Sequence, residues 1–436
     1  MKHTKKPLKF KSPKMAWSFT SKKLSLYGGI APIMEYLKRI ELPDEFDAFF
    51  PTTAHQARKF SLTHLMLSVI LSSLSGVKRL TGIATFTRDT LIQSALGLKN
   101  GLNKDVISTE FKKLGQAGAR ALDDMFGYRV KQELEALDPE EITVDADSTV
   151  KTVYGRQKDA AKGFNPKKRG AKSYHQLIIF ASEAKLVINT WFRTGGAYTS
   201  NGIVEFLKQT VNYIPDGVKI FFRADSGFFN GALFDYLESL GWDYLVKVKF
   251  KGLSEFLKKQ RWTLLDGHSA TWVCGFSYKA KGWTKARTLK AVRRIKKYEI
   301  REEFGRKVLV PIYQYSCYCS TLSLDVWATH EKYCERAVSE TWIEHVKSQL
   351  FAGSTLTNNF WANDILWQLA VFAYNLSVMM RLGNEDLHKE EHCTFSTWFI
   401  KIAAEIRGRR RAPQIRLYKY HPFRERWEAF AAHLAV

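Results

Sequence analysis

The sequence has few groups with which to bind metal through sulfur or to cross-link itself. Its five cysteines, Cys274, Cys317, Cys319, Cys334 and Cys393, are odd in number and show no metal-ligand spacing. Neither a disulfide scaffold nor a structural zinc is expected. A membrane span is also lacking. The longest apolar stretches, Leu62–Val77 and Ile365–Met380, fall short of about 18 residues and carry Ser, His, Gln or Asn, so they read as buried helices. No apolar segment follows the basic N-terminus, so secretion is not expected. No collagen, coiled-coil or tandem-repeat period is visible. These absences together point to a cytoplasmic protein with reduced thiols. Carboxylates are scarce as well: 43 Asp plus Glu stand against 67 Lys plus Arg, a net charge of +24. So large a positive charge calls for a polyanionic partner, and without a membrane signature that partner is nucleic acid.

What remains is rich enough to fold. Apolar residues make up 45% of the chain and aromatics 14%, which excludes global disorder. A length of 436 residues suggests two or three domains. Residues 1–24 form a basic tail with eight lysines and no acid. Residues 25–136 read as a helical domain. Within it the helix Asp105–Leu114, carrying Lys112 and Lys113, follows a short turn at Leu98-Lys99-Asn100-Gly101. That order is compatible with a helix-turn-helix reader of DNA. From Pro139 the pattern changes. Strands are predicted at Ile142–Val150, Tyr174–Ala181, Leu186–Arg193, Val218–Arg223 and Asp243–Phe250, with helices at Ser200–Tyr213 and Gly231–Leu240. The order β-β-β-α-β-α-β over 137–250 is that of a ribonuclease-H-like mixed sheet. Residues 251–320 read as a β-rich, basic insertion holding Trp262, Trp272 and Trp283. Helix returns at 321–382, and 383–436 is expected to be a basic helical region with Arg407, Arg409, Arg410 and Arg411.

Three acidic segments stand out against this background. Asp145 and Asp147 are two apart in a β-branched run, so they share a face of one strand. Spacing alone does not choose between them. Asp225, in Phe221–Phe229, follows an apolar strand and precedes a glycine and a helix. Active-site groups of open sheets cluster at such strand ends. A ribonuclease-H-like order would lay the first strand beside the fourth, with Asp147 next to Asp225. In Lys332–Leu350, the residues Tyr333, Arg336, Glu340 and Lys347 have offsets 0, 3, 7 and 14. At 100° per residue they fall within an arc of about 60° on one helix. Three carboxylates from separate segments are what two-metal phosphodiester chemistry requires.

The pattern Tyr333, Arg336, Glu340, Lys347 resembles the YREK signature of bacterial insertion-sequence DDE transposases. The segments around Asp147 (DADSTV) and Asp225 (RADSGFF) are similar to the two Asp motifs of the same group, and all three occur in the right order. The resemblance covers roughly 140–382 well and the N-terminal part loosely. It implies a metal-binding catalytic triad of Asp147, Asp225 and Glu340, loaded with Mg²⁺ or, as a substitute, Mn²⁺. Asp147 is favoured over Asp145 because it directly precedes Ser-Thr. Arg336 and Lys347 would contact DNA phosphates and Tyr333 the same strand. A tryptophan of the insertion, Trp283 first and Trp262 or Trp272 otherwise, would stack on a flipped base. The implied partners are double-stranded DNA, as element ends and target, and a second copy of the chain in a synaptic dimer. A nuclease of the same fold that cuts without joining, and a non-catalytic DNA-binding relative, are the alternatives.

Overall fold

Apolar periodicity makes the first part of the chain helical. The computed structural model describes residues 15–50, 60–166, 168–350, 356–409 and 412–435; the side chains of residues 303, 338–340 and 412 also lie outside the description. A two-residue strand β1 (Leu24–Ser25) precedes α1 (Ile30–Arg39), α2 (Leu42–Phe49), α3 (Leu62–Leu74), α4 (Leu80–Phe86), α5 (Thr90–Leu96) and α6 (Lys104–Leu137). A capping box opens α3: the His64 N–H donates to Ser61 Oγ at 3.3 Å, and the Ser61 N–H donates to His64 Nδ1 at 2.9 Å. Helix α6 is broken at Gly115, where φ is 57° and ψ −149°. The expected helix Asp105–Leu114 is the arm before this break.

The β-branched run after Pro139 forms the long strand β2 (Glu141–Thr152). Then come β3 (Ala161–Lys162), β4 (Lys172–Ala181), β5 (Leu186–Trp191), α7 (Ile203–Val211), β6 (Lys219–Ala224), α8 (Gly231–Ser239), β7 (Asp243–Lys247) and α9 (Leu253–Lys258). The next segment supplies β8 (Thr263–Leu264), β9 (Thr271–Tyr278), β10 (Arg287–Glu303) and β11 (Arg306–Ser320). All but β1 join one ten-stranded sheet in the order β3-β4-β2-β6-β7-β11-β10-β9-β8, with β5 on β4. The β2–β6 and β6–β7 pairings are parallel and the others antiparallel. The expected insertion therefore continues the central sheet, because Tyr318, Cys319 and Ser320 of β11 pair with Lys247, Val246 and Leu245 of β7. Beyond Arg294 the β10–β11 pair runs on without β9 as a two-stranded ribbon.

The last part holds α10 (Val326–Cys334), α11 (Ala337–Glu344), α12 (Phe360–Met379), α13 (Glu385–His388), α14 (His392–Phe395), β12 (Ala404–Arg409), β13 (Ala412–Leu417) and α15 (Arg424–Ala435). Helix α12 is buried along its whole circumference from Ala362 to Met379. It packs on α3, α6 and β5. Its Asn375 amide imitates a neighbouring strand, accepting from Val187 N–H at 2.9 Å and donating to Val187 C=O at 2.8 Å. Among the described residues no helix is long and apolar enough to cross a membrane.

Three expectations are revised. The helices of 25–136 share one apolar core with the sheet and α12, so the 136/137 boundary is no break in packing. The C-terminal region is not all helical: β12 and β13 form a hairpin that pairs with β1. Burial of Ala404 and Ile406 beside exposed Arg407 is a strand alternation that the basic run hid. The helix expected over Lys332–Leu350 is divided. Arg336 N–H bonds to Tyr333 C=O in a tighter turn between α10 and α11, and His345–Gln349 is a π-helical turn. The arc computed at 100° per residue does not survive these interruptions.

Candidate active site

Strand register places the first two acids. In the parallel pair β2–β6, Asp145 lies opposite Arg223 and Ala146 opposite Ala224. One step further, where the β2–β6 pairing ends, Asp147 midway along β2 lies beside Asp225 just past the end of β6. Asp145 and Asp147 share a face but not a setting. Asp145 is fully buried and takes a bidentate grip from Arg223, Nε to Oδ1 at 2.8 Å and Nη2 to Oδ2 at 2.8 Å. Ser182 Oγ also donates to it. Arg223 reaches on through Nη1 to Lys332 C=O at 2.9 Å and to Glu335 at 3.2 Å, tying β2, β6 and the end of α10 together.

Asp147 faces a different cation. Its Oδ2 is 2.7 Å from Arg336 Nη2, and its Oδ1 accepts from Ser148 N–H at 2.6 Å. Burial pushes the Asp147 carboxyl up to about 6; Arg336 opposes this and the Asp225 charge adds to it. Burial works against the Arg336 charge, yet Asp147, Tyr333 and Asp225 hold its pKa above the usual arginine range. Arg336 Nη2 also donates to Ala146 C=O at 3.3 Å. Asp225 caps the single turn Ser226–Phe228, its Oδ1 accepting from Gly227 N–H at 2.8 Å. The break between α10 and α11 thus carries Arg336 onto the middle of β2.

A polar chain that the motifs did not reveal runs beside these acids. His175 Nδ1 lies 2.6 Å from Ala197 C=O, its Nε2 lies 3.5 Å from Thr199 Oγ1, and Thr199 Oγ1 lies 3.1 Å from Ser148 Oγ. Burial lowers the His175 pKa. Arg223 did leave a sequence signal: a lone arginine in an apolar strand is costly unless it meets a carboxylate.

The remaining expected site residues spread out. Glu340 lies in α11, between Arg336 and Lys347, and its side chain is outside the described residues. Tyr333 packs on Phe221, Leu245 and Tyr318, with its ring 4.8 Å from that of Tyr318 and Lys247 Nζ 5.9 Å from its centre. Lys347 sits in the π-helical turn, 4.0 Å from Glu344, at the rim of a cavity next to β2. Trp283 is packed among Phe229, Phe234 and Tyr278, with Arg287 5.0 Å over its ring. It braces the segment after Asp225 through its contact with Phe229. Trp262 and Trp272 flank Arg293 at 4.8 and 5.0 Å. Among the described residues no three His, Cys, Asp or Glu side chains gather as a metal centre. Asp147 and Asp225 do supply the adjacent hard oxygen donors that a divalent cation takes.

A family model described as transposase DDE domain group 1 matches residues 8–436. Among solved structures, the piggyBac transposase synaptic complex with hairpin DNA is similar at a TM-score of 0.50 and 12% identity, over 87% of this chain and 82% of that one. The Mos1 transposase paired-end complex with the left transposon end overlaps at a TM-score of 0.19 and 12% identity, over 38% of this chain and 56% of that one. At these identities the first likeness shows a shared fold alone, and the second is too slight to bear on it. No curated protein matches.

Proposed function

Because the chain belongs to the transposase DDE domain group 1 family, we propose that it binds the terminal inverted repeats of an insertion sequence and catalyses strand cleavage and strand transfer there. The observation that carries the site assignment is the meeting of Asp147, midway along β2, with Asp225, just past the end of the parallel β6, and the pairing of Arg336 with Asp147. The flanks of β2, antiparallel β4 and parallel β6, support a ribonuclease-H-like core.

Asp147, Asp225 and Glu340 would hold divalent metal, Mg²⁺ with Mn²⁺ as substitute. Held by these residues, the metal would supply Lewis-acid chemistry to the attacking and leaving oxygens at phosphorus. Arg336 orients the Asp147 carboxylate and offers a planar cation beside it, suited to a phosphate oxygen. Lys347 adds a point charge further along. Water is the nucleophile for cleavage and the freed 3′-OH for joining, so no covalent protein–DNA link is required. Two copies of the chain would bring two element ends together. Recognition of the ends is assigned to 25–136, with exposed Lys112 and Lys113 on the first arm of α6 facing DNA.

Labelled element-end DNA incubated with protein and Mg²⁺ tests this. Joined product supports a transposase, cut product alone a nuclease, and neither a DNA-binding relative. Asp147→Asn, Asp225→Asn and Glu340→Gln should each abolish cleavage while end binding persists. A variant that cleaves at the wild-type rate removes its residue from the triad.

A further inference from the structure

Beyond Asp147 the same face of β2 continues through Thr149 to Lys151, because side chains repeat every second residue. Lys151 lies about 13 Å along the strand from Asp147 at about 3.3 Å per residue. Here a cavity of about 350 Å³ opens between β2, β4, the loop after Thr152 and the π-helical turn. Among the described residues, Lys151, Lys168, Lys347 and the carboxylate of Glu344 border it. Tyr154 also borders it and carries Lys168 Nζ 4.7 Å over its ring. The wall opposite Thr149 is Gln176 of β4. Gln176 is fully buried, and neither its Nε2 nor its Oε1 has a hydrogen-bond partner.

A buried amide with both ends unsatisfied is costly and rare in a folded chain. Its place on the wall of a lysine-rimmed cavity supplies the missing partner. We propose that this cavity is a second phosphate subsite, in which the Gln176 amide and Lys151 bind a phosphodiester of the DNA strand a few nucleotides from the bond cut at Asp147. This rests on the transposase reading above and adds Lys151, Gln176 and Lys168 to its DNA contacts. The subsite sets how the strand leaves the carboxylates, since it lies on the same strand face as they do.

Lysine acetylation of the full chain, read by mass spectrometry with and without a short duplex of random sequence, tests this together with binding measured across salt concentrations. The duplex should shield Lys151. Lys151→Met should lower the salt slope by about one unit. Gln176→Leu should weaken binding about tenfold with the slope unchanged, the loss of a hydrogen bond to a charged group. Inorganic phosphate at matched ionic strength should shield Lys151 far less than the duplex. If phosphate shields it and DNA does not, the cavity takes a free anion and the strand assignment falls. If the wild type binds DNA with a steep salt slope while Lys151 stays reactive, the subsite alone is overturned. If the wild type shows no salt-dependent DNA binding, the transposase reading fails first and the subsite with it. The shielding result needs no variant, so a misfolded Gln176→Leu protein does not blunt the test.

Discussion

Asp145 accepts two guanidinium hydrogen bonds inside the protein, whereas Asp147, two residues on, meets Arg336 beside a second carboxylate. Removing one partner of a fully buried ion pair typically costs about 3–5 kcal/mol, because the other charge is left uncompensated. Asp145→Ala should therefore lower stability in urea by about that amount. Asp225→Asn should leave stability nearly unchanged, since it removes both a repulsion with Asp147 and an attraction to Arg336. Equal losses at both positions would show that the two aspartates share one structural role. The same comparison separates the folding contribution of Asp145 from the chemical contribution proposed for Asp225.

At the scale of elements, the break in α6 rests on one residue. Gly115 combines positive φ with strongly negative ψ, which a side chain disfavours. A Cβ there would meet nothing within 4 Å, so backbone strain is the whole penalty. Gly115→Ala should cost about 1–3 kcal/mol in equilibrium unfolding, or straighten the helix and move Asp105–Leu114. A neutral effect in both unfolding and circular dichroism would overturn this account. Between α6, β5, α7 and α12 lies a cavity of about 540 Å³ bordered by Asp123, Asp124 and Asp364. Burial, with Asp364 and Asp124 nearby, pushes Asp123 up to about 8, and burial pushes Asp364 up to about 7. The folded chain thus holds protons that the unfolded chain releases near pH 4. Stability from these groups is full below about pH 4 and is lost as pH rises towards 8. Asp364→Asn should raise the melting temperature at pH 8 and lose that advantage at pH 4. Wild type and variant curves that stay parallel across the window would refute the assignment.

The whole molecule is joined through α12. Because α3 and α6 cover this helix, deleting residues 1–136 would strip apolar surface from the core rather than release a separate domain. The remaining 137–436 should lack a cooperative thermal transition, and a sharp transition would mean that the boundary is a true domain border. End recognition by 25–136 is better tested by replacing Lys112 and Lys113, which are exposed, and comparing binding to element ends and scrambled DNA. The net charge of +24 supports attraction to any DNA; it does not by itself confer preference for one sequence.

Local chemistry was legible in the sequence. The alternating run at Ile142–Val150, the apolar strand before Asp225 and the apolar stretch that became α12 were all visible, because each depends on side chains within one element. The motif order also pointed to the DDE family before any contact was known. Pairing between distant segments decided the rest. Spacing puts Asp145 and Asp147 on one face; only the register against β6 gives Arg223 to the first and Asp225 to the second. The tight turn that directs Arg336, the merging of the first helices into the common core and the pairing of β12 with β1 likewise depend on partners far away in sequence. Gln176 is the extreme case. In the chain it is one polar residue in a strand, and its unmet amide exists only because β2, β4 and the turn holding Lys347 enclose it.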